Sequence, residues 1–336
     1  FAEGTFNAAF IPSYTSAKIE DKKKGKRFAD DVLSTLLLIL LFIVTIAEIF
    51  TPYLIYIIAP GFLENQFKFN LAVELTRITF PFLLFVSLSS FFAGILNSNN
   101  KFAAAAAAPI ILNVILIISL TYSYMRGLDY AKYLSYGVTI AGMIQLFFLI
   151  YVTNKFYKPV LNFRLRFSNK VRFFFKKLFP SILSSGVTQI NILVGTIIAS
   201  FQSSAVSYLY YADRVYQINL AIAGIAVGTV SLPVLSKAFK MKNIKKISDI
   251  QNKSFELSLL FSIPASFGLI LASNEIVNAL FGYGSFSAND VERTAEALKF
   301  FGFGVPAFAL IKILSNFFFA RDNTKTPFYI SMFVVF

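Results

Sequence analysis

The chain has 336 residues, of which 57% are hydrophobic and only 14% charged, and phenylalanine alone occurs 41 times. A soluble domain carries about 25% charged residues, so this chain cannot cover itself with polar surface and reads as a polytopic membrane protein. It has no cysteine and no histidine, which excludes disulfides, thiolate chemistry and the commonest metal ligand and general base.

A spanning helix needs roughly 20 apolar residues. Residues 1–17 read as the end of an earlier helix. Whole spans are then expected at 34–58, 71–97, 103–124, 133–154, 180–201, 205–236, 254–274 and 297–320, with a further start at 327. The first residue is Phe1 and the chain ends in the apolar run "ISMFVVF". It reads as a fragment cut inside membrane helices at both ends.

The net charge of +14 could suit nucleic acid, but its placement points elsewhere. Six basic residues lie in 18–27, eight in 155–177 and six in 237–253, in loops separated by even numbers of spans. The intervening loops hold five basic residues and a larger share of the acids. This is the positive-inside pattern. It makes the basic loops cytoplasmic, gives them anionic lipid headgroups as neighbours, and leaves no reason to expect a nucleic-acid partner.

An internal duplication is visible. "FIPSYTSAKIEDKKKGKR" (10–27) and "SLPVLSKAFKMKNIKK" (231–246) both end a helix with a proline and then a basic loop, with Pro12 and Pro233 221 positions apart. Each is followed by a long apolar helix, a glycine turn ("IAPGF" at 58–62, "LFGYG" at 280–284) and a proline-containing helix. "NNKF" and "NTKTPF" then place Lys101 and Lys325 224 apart. Because the offset spans an even number of helices, the copies share one orientation. The expected fold is all-α, with two parallel-repeat lobes around a central cavity: 1–154 and 180–336, joined by a basic cytoplasmic linker, 155–179, that reads as a surface helix.

Asp213 and Arg214 stand side by side within the span 205–236. Asp213 lies roughly 13 Å into its helix at about 1.5 Å per residue, and an ionised group at that depth is costly unless paired or hydrated. An ion pair to the other lobe would be structural. A water-filled cavity would instead let the planar fork of Arg214 hold a phosphate or carboxylate. Glu3 is also deep and could line the same cavity. Glu74 and Arg77 read as an interface pair, Lys312 as snorkelling, and Asn113, Gln189 and Asn191 as inter-helix hydrogen-bonding groups. No catalytic triad, metal-ligand spacing or nucleotide loop is present, so neither an enzyme nor a cofactor is expected.

The motifs "FAEGTFNAAFIP" (1–12), "IAPGF" (58–62), "SYLYYADRVYQINL" (207–220), "VSLPVLSK" (230–237) and "NTKTP" (323–327) resemble the MurJ (MviN) family of lipid II flippases. That family lies within the multidrug/oligosaccharidyl-lipid/polysaccharide exporter superfamily, whose fold is MATE-like. The resemblance implies a bacterial inner-membrane protein that moves lipid II, the lipid-linked peptidoglycan precursor, from the inner to the outer leaflet by alternating access. It places the chain from the end of helix 2 to the start of helix 11. It also matches Arg214 to a cavity arginine that holds the pyrophosphate, with Asp213 before it, and puts Glu3 in a cavity motif. A drug or cation antiporter, or a polysaccharide-lipid exporter, of the same superfamily is the competing reading.

Overall fold

The computed structural model describes residues 5–160 and 192–321, with isolated residues among 172–190 and 323–333. Among the described residues the regular structure is helical throughout, and there is no strand. The chain divides into two units, Phe1–Gln189 and Ile190–Phe336.

In the first unit, α1 (Thr5–Glu20) and α2 (Lys22–Ile49) are separated by Asp21 alone. The Asp21 side chain caps α2 by accepting the Lys23 N–H at 2.8 Å. Gly25 permits the close return: a Cβ there would lie 2.8 Å from the Lys18 Cα. Pro52 opens α3 (Thr51–Ile58), and a 3₁₀ turn (Pro60–Glu64) carries the "PGF" motif. The next expected span is broken at Pro81 into α4 (Gln66–Thr79) and α5 (Phe82–Ser98), because proline has no N–H to continue the ladder. Then α6 (Phe102–Arg126) stops at Gly127, whose φ of 62° is the left-handed cap glycine favours, and α7 (Tyr130–Thr153) is capped by Asp129.

The core of this unit forms around α1. Phe6, Phe10 and Tyr14, spaced by four, share one face and stack in turn at 5.2 and 5.6 Å, with Phe91 of α5 5.0 Å from Phe10. Polar ties fasten the ends. Lys18 Nζ donates to Asn99 Oδ1 at 2.6 Å. Asp30 accepts from Tyr157 Oη at 2.6 Å and from the Val160 N–H at 3.0 Å. Burial and that bond to Asp30 push the Tyr157 hydroxyl well above the ordinary tyrosine range.

In the second unit, α8 covers 192–200. A helical run then extends from α9 (Ala205–Leu220) through a π turn (Ala221–Ala226) into α10 (Val227–Lys240). After a tight turn come α11 (Ile244–Leu271), α12 (Ser273–Phe281) and α13 (Ala288–Phe319). Every fourth residue of α11 from Ser254 to Ser266 is a buried serine. Small residues let membrane helices approach closely, and Ser266 Oγ donates to the Gly302 carbonyl of α13 at 2.7 Å. Gly224 does the same for the π turn, since a Cβ there would lie 3.2 Å from the Ala309 Cα.

The duplication extends to the caps. The helix starts Lys22 and Ile244, Thr51 and Ser273, and Gln66 and Ala288 are each 222 positions apart. So are the capping residues Asp21 and Asn243, and Asn65 and Ser287, all of which accept a first-turn N–H through a side-chain oxygen.

Six described helical runs are long and apolar enough to cross a membrane: Lys22–Ile49, Gln66–Ser98, Phe102–Arg126, Tyr130–Thr153, Ile244–Leu271 and Ala288–Phe319. The protein is a multi-pass membrane protein. Of the expected span 180–201, the later part appears as α8, while 180–188 and Asn191 lie outside the described residues; so does most of the surface helix expected at 155–179, whose described start, 155–160, is not helical.

Candidate functional site

The two faces of α9 differ in character. Ala212, Val215 and Tyr216 are buried in one cluster with Leu298 and Val305 of α13, and Tyr216 stacks on Phe301 at 5.3 Å. Tyr210, Arg214 and Gln217 recur at helical spacing on the opposite face and are exposed. The apolar stripe therefore fixes the rotation of α9 and directs the arginine away from the core of its own unit.

Asp213 and Arg214 do not pair with each other; each has a partner one turn away. Arg214 Nη2 donates to Tyr210 Oη at 3.0 Å, and its Cζ stands 4.6 Å from the centroid of the same ring. The half-buried Asp213 accepts a short hydrogen bond from Gln217 Nε2. Among the described residues no carboxylate forms an ion pair with Arg214. A guanidinium backed by an aromatic ring and not neutralised by an acid can offer two parallel N–H donors to a phosphate.

The start of α9 is anchored to the start of α13. Tyr208 Oη donates to Asp290 Oδ1 at 2.8 Å, and Asp290 is itself held in a capping box with Ser287. Tyr211 lies 5.0 Å from Phe281 and 5.4 Å from Phe286.

The remaining polar residues singled out in the sequence fall as follows. Glu3 and Asn191 lie outside the described residues. The expected pairing of Glu74 with Arg77 is replaced by a contact between helices: Lys132 Nζ of α7 meets Glu74 Oε1 at 2.5 Å. Asn113, Gln189 and Lys312 are exposed. Sequence reading missed Gln145, which is buried and donates from Nε2 to the Ala108 carbonyl at 3.0 Å, tying α7 to α6. It also missed a cavity of about 430 Å³ lined in part by Asn7, Ser89, Asn97 and Gln145. The only signal for Gln145 was one amide in an otherwise apolar span.

A family model described as "Lipid II flippase MurJ" matches residues 1–336. A "Probable lipid II flippase MurJ" of Rhizobium tropici is 40% identical over 333 residues, covering 97% of this chain and 62% of the relative. One from Rickettsia prowazekii (strain Madrid E) is 40% identical over 338 residues, covering 100% and 66%. The chain thus spans less than two thirds of the length of these relatives. Among solved structures, a lipid II flippase MurJ in an inward closed conformation superposes with a TM-score of 0.85 at 28% identity, covering 100% of this chain and 69% of that one. An inward-facing multidrug resistance MATE family transporter of the MOP superfamily matches at 0.76 and 15% identity, covering 98% and 76%, and so shares the fold. The five motifs, the helical architecture and these matches agree: the chain belongs to the MurJ family.

Proposed function

We propose that this chain is part of a flippase that carries lipid II from the inner to the outer leaflet of the bacterial plasma membrane by alternating access, a transport step with no catalysis. In this reading the lobes are 1–154 and 180–336, and the basic segment 155–179 links them. Arg214 holds the substrate pyrophosphate, Asp213 orients or balances the arginine beside it, and Glu3 contributes from the first lobe. The basic loops face anionic lipid headgroups.

The observation that carries this reading is the state of Arg214 in a chain of this family: exposed, backed by Tyr210, and in no ion pair among the described residues. A pyrophosphate bound away from bulk water needs such a cation. A drug or cation antiporter of the same superfamily would instead need acids at that position.

The test is lipid II accessibility at the outer leaflet in cells depleted of their native flippase and supplied with the full-length protein. Arg214→Ala should abolish export while the protein remains in the membrane at normal levels. Arg214→Lys should restore only part of it, because an ammonium keeps the charge and loses the fork. Normal export by Arg214→Ala would remove the ligand role. Export of a cationic dye in place of lipid II would favour the antiporter.

A further inference from the structure

We propose that the groove between α10 and α11 is a binding site for an anionic glycerophospholipid of the cytoplasmic leaflet, with one acyl chain along the groove and the phosphate on Lys253. The groove is a cavity of about 440 Å³ lined by Ile222, Ala226, Val230, Val234, Leu257 and Phe261, with Ser231, Ser254 and Lys253 among its few polar residues.

Its floor is apolar to a visitor despite the serines. Ser231 Oγ donates to the Gly228 carbonyl at 3.2 Å and Ser254 Oγ to the Ile250 carbonyl at 2.7 Å, so both hydroxyls are satisfied by their own helices. Both side chains are buried, whereas Val230 above them is 73% exposed. Small residues below and branched ones at the sides make a trough.

The length of the trough suits one leaflet. From Ile222 to Val234 the helix advances about 18 Å at about 1.5 Å per residue, close to half of a hydrocarbon core about 30 Å thick. The shallow end lies toward the basic turn between α10 and α11, which the positive-inside rule places in the cytoplasm. The charge is at that end. Helical side chains lean toward the helix N-terminus, which for α11 is the basic turn, so the exposed Lys253 reaches toward the headgroup level. Asp249 and Glu256 are its acidic neighbours on α11, yet no ion pair with either is present among the described residues. Lys246, two turns earlier, adds a second cation on the same side. An apolar trough one leaflet long with a lysine at its cytoplasmic end matches a phospholipid carrying a net negative headgroup.

The experiment uses the full-length protein in phosphatidylcholine nanodiscs doped with phosphatidylglycerol bearing a mid-chain diazirine. After photolysis, labelled residues are mapped by peptide mass spectrometry. Labelling should concentrate at Val230–Val234 and Leu257–Phe261, above that of the exposed α6 residues Ile110, Ile117 and Ile118. Lys253→Gln should lower phosphatidylglycerol labelling about fivefold, the effect of one lysine at a membrane surface, and leave labelling by a phosphatidylcholine probe unchanged. Val230→Trp should fill the trough and suppress labelling by both probes. The proposal is overturned if the groove labels no more than α6, if it is unlabelled because another protein segment covers it, or if Lys253→Gln leaves phosphatidylglycerol labelling unchanged.

Discussion

Arg214 lies against Tyr210, one turn earlier on α9, with its Cζ 4.6 Å from the ring centroid and Nη2 3.0 Å from the phenolic oxygen. The ring and the hydroxyl make separable contributions. Tyr210→Phe keeps the stack and loses one hydrogen bond of about 1 kcal/mol, so lipid II export should fall by less than about tenfold. Tyr210→Ala removes both and lets the guanidinium swing, and export should fall further. Equal export by the two variants would show that Tyr210 does not position the arginine.

Asp213 tests whether the acid beside the arginine touches the substrate. Asp213→Asn keeps an oxygen acceptor for Gln217, its present partner, while removing the charge. Export should therefore fall much less than with Arg214→Ala. A loss as deep as that of Arg214→Ala would place the carboxylate itself in the transport step.

The serine ridge of α11 makes a prediction about stability. Ser262 is fully buried, and its Oγ has no hydrogen-bond partner among the described residues. Ser262→Ala removes a buried, unsatisfied oxygen and should leave thermal stability in detergent unchanged or raised. Ser262→Leu forces three extra carbons into the α11 seam and should cost about 1–3 kcal/mol, read as a lowered Tm of the purified protein.

Tyr157 fastens the segment that follows α7 to α2 through Asp30. Tyr157→Phe should cost about 1.5–3 kcal/mol, the range for a hydrogen bond to a charged group. The phenol pKa is raised in the folded protein, so the protonated, donating form is favoured. Its contribution is fully present below the ordinary tyrosine value of about 10 and is lost only as pH rises through the higher folded value. The difference in Tm between wild type and Tyr157→Phe should thus be constant from neutral pH to about 9.

Much of the helical layout could be read locally. Asp21, Asn65, Asp129 and Ser287 are capping residue types, Gly127 is a stop, and Pro52 and Pro81 stand at helix starts, where a missing N–H costs nothing. These signals act within one turn and survive without tertiary information. The charged contacts were harder. Neighbours on a helix point about 100° apart, so Asp213 and Arg214 could be separated from the sequence, but not their partners one turn away, Gln217 and Tyr210. Glu74 chose Lys132 over Arg77 for a tertiary reason, because α7 brings a lysine to it. The serine ridge has the spacing of four that any helix face has, and it becomes meaningful only when α13 is laid along it. Gln145 likewise needed Ala108 of another helix to explain it.

The π turn Ala221–Ala226 has a consequence for insertions and deletions. A π turn is where a helix accommodates one residue more than the α ladder needs. Removing one residue from inside it restores i→i−4 bonding and leaves the faces on both sides where they are, with Arg214 outward on α9 and Leu235 buried on α10. Removing one residue elsewhere between Arg214 and Leu235 turns one of those side chains about 100° around the axis relative to the other. The run Ala205–Lys240 should therefore tolerate a single deletion within the π turn far better than at Val215 or Ser231, with membrane expression of the full-length protein as the measure.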